Sequence, residues 1–457
     1  MAAPPPSPLC SPPTATMSAP VFLFLLHLFF PFATPQTLTL NLTQKQPSFP
    51  ANDPWAKLSQ LAEFSLARAH HLKNRHHYHG DGQPIAASEV ATTNVAPRSS
   101  GEYVIGLRFG TPAQPLPFVL DTGSTLVWFP CSHSFRCRNC RSPVSAFPPF
   151  IPKSSSSARL VGCRNPKCRW IHSRLPSNCS SSSVCPPYFV LYGSAATGGI
   201  LLSETLSLPG KPVANFAVGC SVFSDHQETG VAGFGRGQPS FPSQLGVGSF
   251  SYCLPSHRLD DVRGAYGTLV LGENPAASRG LTFTPFLRSP ARFGAYYYVG
   301  LRKVTVGSVA VDVPPLRPDG NGGTIIDSGT SFTVMEGGTH DRLAAAFASQ
   351  VRGYRRAVAV EKQSGLRPCF EVGRRKTVAL PAMALHFDGG AVLTLPLKNY
   401  FSFVGETDAI CLTVIGAVGE GTVGPAVILG NYQQQDYYIT YDIVKERIGF
   451  RPQTCQQ

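Results

Sequence analysis

Phe118–Trp128 reads FVLDTGSTLVW, and Thr324–Val334 reads TIIDSGTSFTV. Each places apolar residues before an Asp, then a small hydroxyl residue, a Gly and a second hydroxyl residue. The two carboxylates, Asp121 and Asp327, are 206 positions apart (327 − 121). A second pair of stretches follows the same order, with VAGFG at Val231–Gly235 after the first Asp and VILG at Val427–Gly430 after the second. The repetition predicts two related lobes of roughly 170 to 190 residues, each with one Asp turn. Gly123 and Gly329 permit a tight turn that a side chain would obstruct. Neighbouring hydroxyls and amides can hold the carboxylate plane and favour its ionised form. A single turn of this kind is what an ordinary Asx turn offers. Two copies in duplicated contexts can bring two carboxylates face to face across a lobe interface. Like charges that close do not both ionise easily, so one carboxyl keeps a proton while the other stays a base. Water between them can then be deprotonated by one as the other polarises a carbonyl, which is general acid/base hydrolysis with neither metal nor covalent intermediate.

The rest of the chain is consistent with strands. EYVIGLRFG, YYYVGLRKVTVGSVAVDVP and DYYITYDIVKERIGF are rich in β-branched and aromatic residues and are punctuated by Gly and Pro. Of 457 residues 43% are apolar and only 14% charged, and Gly and Pro supply 43 and 42. That balance excludes helical bundles, coiled coils and wholesale disorder. The clearest helical signal after Gly101 is Thr339–Val351. The fold class is therefore mainly β.

The N-terminal part differs. Val21–Ala33 (VFLFLLHLFFPFA) has the length of a signal-peptide core and is short for a membrane span. Residues 1–36 are expected to be a removed leader, although Met1–Pro20 lacks basic residues and Met17 is an alternative start. No later run reaches the length of a membrane span, and RPQTCQQ at the end is no lipid-anchor tail. Residues 37–98 contain no cysteine. Within them Trp55–Lys73 spaces Leu58, Leu61, Phe64 and Leu66 as a short amphipathic helix. A polar linker with His70, His71, His76, His77 and His79 around its start follows, a run that suits solvent, metal or pH sensing. This segment is expected to be a propeptide; an extension that is never removed is the alternative.

Thirteen cysteines in a secretory chain point to disulfides. Without Cys10 in the leader twelve remain, compatible with six bridges. Seven of them (Cys131, Cys137, Cys140, Cys163, Cys168, Cys179 and Cys185) form a cluster, so full pairing sends at least one bond out to Cys220, Cys253, Cys369, Cys411 or Cys455. A zinc site of Cys137 and Cys140 with Cys163, Cys168 or His133 is the rival reading.

With VLDTGSTLVWFPC, the cysteine-rich insertion, YGSAATGG, VAGFGRGQPSFPSQL, FSYCL, TIIDSGTSF and ILGNYQQQDYYITYD in view, the chain resembles the pepsin-type aspartic proteases (family A1), in their plant nepenthesin-like branch, over about Gly101–Phe450. The resemblance implies a bilobal β fold: an N-terminal lobe at 99–285 with a cysteine-rich insertion at 131–185, and a C-terminal lobe at 286–457. A cleft for an extended peptide, an inhibitory propeptide and acidic working pH are also implied. Proton sharing between two Asp is the known behaviour of that family. Asp121 and Asp327 match its catalytic pair. Ser124 and Thr330 match the hydroxyls that hydrogen-bond them, and Thr122 and Ser328 match the residues that lock the two turns. Tyr192 and Gly193 match the flap that closes over substrate, and Trp128 the tryptophan that buttresses the tyrosine. By the same resemblance Cys369 pairs with Cys411. Asn178-Cys179-Ser180 is a candidate glycosylation sequon, and Asn41-Leu42-Thr43 falls in the propeptide.

Two departures stand out. Ser194 follows the flap glycine where most nepenthesin-like chains are acidic. The part after residue 98 is strongly basic, 33 Lys+Arg against 22 Asp+Glu (39 − 6 and 26 − 4). Such charge suits acidic polysaccharide, membrane surfaces or acidic substrates, or simply a solvated face; no nucleic-acid-binding module is recognised. The expectation is a secreted, monomeric aspartic endopeptidase with no cofactor and no metal, acting on extended peptides, inhibited by its own propeptide, and located in the apoplast or cell wall, with vacuole and then plastid as alternatives. The rival is a catalytically inactive binding or inhibitor protein on the same scaffold, as plant xylanase inhibitors are.

Overall fold

The computed structural model describes residues 38–44, 54–73, 101–140, 147–193, 195–208, 211–256, 266–273, 278–373, 377–404, 407–417 and 424–455. The leader, the linker at 74–98 and Ser194 lie outside them. Strands β1 (Leu38–Gln44), β2 (Tyr103–Phe109), β3 (Gln114–Asp121) and β4 (Trp128–Pro130) belong to a fifteen-stranded sheet, and the second half of the chain adds sheets of five, four and four strands. The architecture is mainly β and bilobal.

Strand β2 shows why these residues pleat. Tyr103, Ile105, Leu107 and Phe109 are buried, whereas Gly106 and Arg108 are exposed, the period of two of a half-covered strand. Strand β3 pairs with it antiparallel but ends in four consecutive buried residues, Phe118, Val119, Leu120 and Asp121. Both faces are covered there, so alternation disappears.

The sequence repeat is a repeated three-strand unit. The end of β3 runs parallel to Gly230–Gly233, with Gly233 opposite Asp121, and that strand pairs antiparallel with β4 through Val231 and Trp128. In the second half Thr324–Ile326 runs parallel to Val427–Leu429, which pairs antiparallel with Thr333–Glu336 through Val334 and Ile428. Asp121 and Asp327 each sit at the mouth of the turn between the outer two strands of their unit. The chain returns at the end, placing Tyr437–Asp442 and Arg447–Pro452 in the fifteen-stranded sheet.

The described parts of the segment before residue 98, a strand and a helix, are built into this frame. Strand β1, with the alternation LTLNLT, pairs with Tyr266–Leu271 on one side and β2 on the other. Helix α1 (Pro54–Lys73) starts one residue before the expected span, at a proline whose missing N–H costs nothing in a first turn. Its Leu58, Leu61, Ala69 and Leu72 pack with Phe293, Tyr296, Phe332, Ile415 and Tyr432 of the second half. Burial of a leucine is worth about 1.5 kcal/mol or more, so the three leucines hold the helix with at least about 4 kcal/mol.

All twelve cysteines after the leader are bridged: Cys131–Cys220, Cys137–Cys140, Cys163–Cys179, Cys168–Cys185, Cys253–Cys455 and Cys369–Cys411. One bond leaves the 131–185 cluster, to Cys220. The sulfurs of the zinc reading are thus consumed in disulfides, and among the described residues no group of three or more His, Cys, Asp or Glu is placed to hold a metal ion.

Candidate active site

The two Asp turns meet across the molecule through reciprocal bonds. The Thr122 N–H donates to Ser328 Oγ (3.1 Å) and the Ser328 N–H to Thr122 Oγ1 (2.9 Å). Each hydroxyl then donates to the strand before the opposite turn, Thr122 Oγ1 to the Ile326 carbonyl (3.1 Å) and Ser328 Oγ to that of Leu120 (2.8 Å). Every donor of this lattice is buried and satisfied, which fixes the spacing of the two carboxylates.

The carboxylates are held symmetrically. Asp121 accepts from the Gly123 N–H (3.0 Å) and the Ser124 hydroxyl (2.5 Å); Asp327 accepts from the Gly329 N–H (2.9 Å) and the Thr330 hydroxyl (2.6 Å). The turn glycines are required by the approach itself. A Cβ on Gly123 would lie 2.6 Å from an Asp327 oxygen, and one on Gly329 would lie 2.5 Å from an Asp121 oxygen. Either would push the pair apart.

Trp128 is wholly buried and its indole N–H donates to the Tyr192 hydroxyl at 3.0 Å. Tyr192 ends the first strand of the hairpin Tyr188–Tyr192 and Ala195–Leu208, whose turn begins at Gly193 with φ +58°. The structure therefore brings Tyr192, Gly193 and Trp128 together. Asn178 is exposed, beside the Cys163–Cys179 bridge.

One residue at the site was not foreseen. Arg68 of α1 reaches both carboxylates: Nη2 donates to Asp121 Oδ1 at 2.6 Å and Nε to Asp327 Oδ2 at 3.2 Å. Its guanidinium also lies 5.9 Å from the Tyr192 ring centroid. A Cβ at Gly193 would stand 2.6 Å from the Arg68 Cα, so the hairpin turn touches the helix backbone there. Next to it the buried Ser65 hydroxyl donates to the Leu61 carbonyl (2.6 Å) and accepts from the Phe332 N–H (2.9 Å). The sequence carried a signal for this: Leu58, Leu61, Ser65, Arg68 and Leu72 recur at helical spacing, so Arg68 is a cation inside a buried stripe.

The electrostatics separate the two acids. Burial opposes ionisation of Asp121, but the Arg68 cation and the Ser124 hydroxyl outweigh it and hold the carboxyl below its ordinary range. Asp327 stands above that range, because burial favours its neutral form and the neighbouring Asp121 charge adds to the effect, against the pull of Arg68. Burial disfavours the Arg68 charge, yet the two carboxylates more than compensate and raise its pKa. The site thus holds one ready base, one carboxyl inclined to keep a proton, and a buried cation lying on both.

The chain as a whole is similar to known proteins. The family described as xylanase inhibitor N-terminal matches residues 103–273, and that described as xylanase inhibitor C-terminal matches 296–452. A probable aspartyl protease of Arabidopsis thaliana is 36% identical, covering 79% of this chain and 83% of its own. The aspartic proteinase nepenthesin-2 of Nepenthes gracilis is 33% identical, covering 78% of each. Among solved structures, edgp superposes with a TM-score of 0.61 at 20% identity over 78% of this chain and 92% of its own. Conglutin gamma, a basic 7S globulin from lupine seeds, gives 0.60 at 16% identity over 92% and 95%. The last two show the fold alone.

Proposed function

We propose, from the premise that this chain belongs to the pepsin-like aspartyl proteases of plants and is an aspartic-type endopeptidase, that it is made as a secreted zymogen which Arg68 holds silent. Asp121 and Asp327 are the catalytic pair in this reading. With Arg68 withdrawn, one carboxylate of the pair takes a proton from water as the oxygen attacks the scissile carbonyl, and the other, kept protonated because two such close charges do not both ionise, donates to the carbonyl oxygen. The tetrahedral intermediate collapses when the first carboxyl returns its proton to the amide nitrogen, which leaves as the amine, while the second takes back the proton from the gem-diol oxygen and a carbonyl re-forms. Ser124 and Thr330 hold the two carboxyl planes, and the Thr122–Ser328 lattice holds their separation. Tyr192, anchored by Trp128, closes the flap over an extended peptide.

The observation that carries the zymogen reading is the pair of bonds from Arg68 to both carboxylates. A guanidinium seated there excludes the attacking water and the substrate carbonyl together. The dyad that serves in catalysis is then the anchor of inhibition, and protonation of its carboxyls in acid releases it. Six disulfides suit an oxidising secretory route to the apoplast or vacuole, and the expected monomer needs no cofactor.

The test is cleavage of an unfolded protein by the purified full chain across about pH 2 to 8, beside Asp121→Asn and Asp327→Asn. Acid activity that both substitutions abolish is the expected result. Wild type that is folded and processed yet inert throughout would sink this reading and favour a non-catalytic binding role on the same scaffold.

A further inference from the structure

We propose that the disulfide-stapled knuckle at residues 159–185, behind the flap, is a docking surface for an anionic polysaccharide, a chain of uronate sugars. The charge is of one sign there. From Arg159 to Cys185 the chain carries five Lys and Arg (Arg159, Arg164, Lys167, Arg169 and Arg174) and no Asp or Glu. Arg159, Arg164, Arg169 and Arg174 are exposed, and none pairs with a carboxylate among the described residues. Some exposed arginines elsewhere do find one, as Arg302 does on Asp388 and Arg356 on Glu361, whereas others, such as Arg288 and Arg352, have none among the described residues.

The surface is rigid before any ligand arrives. Cys163–Cys179 and Cys168–Cys185 staple the loop, Arg159–Leu160 pairs with Leu202 and Ser203 at a sheet edge, and Gly162 bridges to Val184. Val161, Cys168 and Cys185 are buried against Tyr188 and Tyr192. Arg159 is oriented by bonds to the Ser156 and Ala158 carbonyls, and Arg164 by one to that of Cys179. Cations already held, as Arg159 and Arg164 are, lose less freedom on binding a polymer.

The chemistry favours a sugar acid. Arginine presents a planar fork that matches a carboxylate with two parallel hydrogen bonds. Exposed Ser173, Ser177, Ser181 and Ser182 lie among these cations and offer hydroxyls to a polyhydroxylated chain. Single-stranded nucleic acid asks for open aromatic faces, but the Trp170 ring is half-buried and has the Lys167 ammonium 5.6 Å from its centroid. A membrane surface asks for an amphipathic helix, and the knuckle contains only the 3-10 turn Pro166–Trp170. Nothing here depends on proteolysis, since the knuckle lies outside the dyad and its lattice.

The experiment measures binding of the full chain, carrying Asp121→Asn to prevent self-cleavage, to polygalacturonate at low and physiological salt. Neutral dextran, phosphatidylserine vesicles and duplex DNA are the comparison ligands. The variant Arg159→Gln/Arg164→Gln/Arg169→Gln/Arg174→Gln should weaken polygalacturonate binding at least about tenfold, four exposed ion pairs each contributing a few tenths to one kcal/mol. The control Arg288→Gln/Lys303→Gln/Arg352→Gln/Arg355→Gln removes equal charge from other exposed positions and should leave binding within about twofold. Equal melting temperatures establish that both variants fold. The proposal is overturned if polygalacturonate does not bind, if both variants weaken it alike, or if vesicles or DNA bind more tightly than polygalacturonate.

Discussion

Arg68→Gln should awaken the uncut chain. The substitution keeps the length and most of the packing of the side chain but removes the charge lying on Asp121 and Asp327. Breaking a buried ion pair by removing one partner costs about 3 to 5 kcal/mol. Neutralisation of Asp327, which already stands above the ordinary range, offsets part of this, so the lower figure applies. About 3 kcal/mol is a shift of roughly 150-fold in the docking equilibrium of α1. The leucine stripe still holds the helix in most molecules, so the variant folds. The assay is hydrolysis of an internally quenched peptide near pH 6.5 by chain that mass spectrometry shows to be uncut, with Arg68→Gln/Asp121→Asn as the blank. Latent activity should rise by about two orders of magnitude. The pH dependence has a definite sign. The Asp121 carboxyl is held below its ordinary 3.8, so its bond to Arg68 stabilises docking above that pH and is lost as the pH falls through the lowered value. Wild-type conversion should therefore steepen in strong acid, and Arg68→Gln should flatten it. The reasoning fails if uncut Arg68→Gln is as silent as wild type while Leu61→Asp, which breaks the apolar stripe, is active.

Three further outcomes follow from other buried groups. His340 donates from Nε2 to the Val414 carbonyl, and burial followed by the Arg367 cation lowers its pKa to about 4; its nearest described carboxylate is that of Asp341, 4.0 Å away. The unfolded chain binds the extra proton as pH falls from about 6.5 to about 4, which removes about 3 kcal/mol of stability, and His340→Gln should abolish that loss when denaturant midpoints at pH 7 and pH 4 are compared. Tyr192→Phe deletes the acceptor of the buried Trp128 N–H, so kcat/KM should fall about tenfold, for an unmet donor costs about 1 to 3 kcal/mol; an unchanged value would remove Tyr192 from the flap mechanism. Lys73, at the end of α1, is buried, with a Nζ that has no hydrogen-bond partner among the described residues, and burial lowers its pKa despite the nearby Glu336. Lys73→Met should tighten the helix and slow conversion at a fixed acid pH, and faster conversion would show that the cation is compensated.

The paired turns and their following glycine strands were legible because they are local. An apolar strand, an Asp and a tight turn follow from neighbouring residues, and their duplication can be read by eye. The mainly β class, the helix near Trp55–Lys73 and the parity of the cysteines are of the same kind, since periodicity and counting suffice. The alternation LTLNLT at Leu38–Thr43 was equally open to reading, yet that it becomes a strand between β2 and Tyr266–Leu271 depends on partners far along the chain.

What this sequence determined by itself is thus a set of local conformations and the residue types available for acid/base work. Only the tertiary structure decided which groups face each other: that Thr122 and Ser328 exchange bonds 206 residues apart, that Cys131 finds Cys220, and that the guanidinium of Arg68 lies on both carboxylates. The reason is physical. Strand and turn preferences act over a few residues, whereas the ionisation of Asp121 and Asp327 is set by burial and by charges that folding alone brings within a few ångströms.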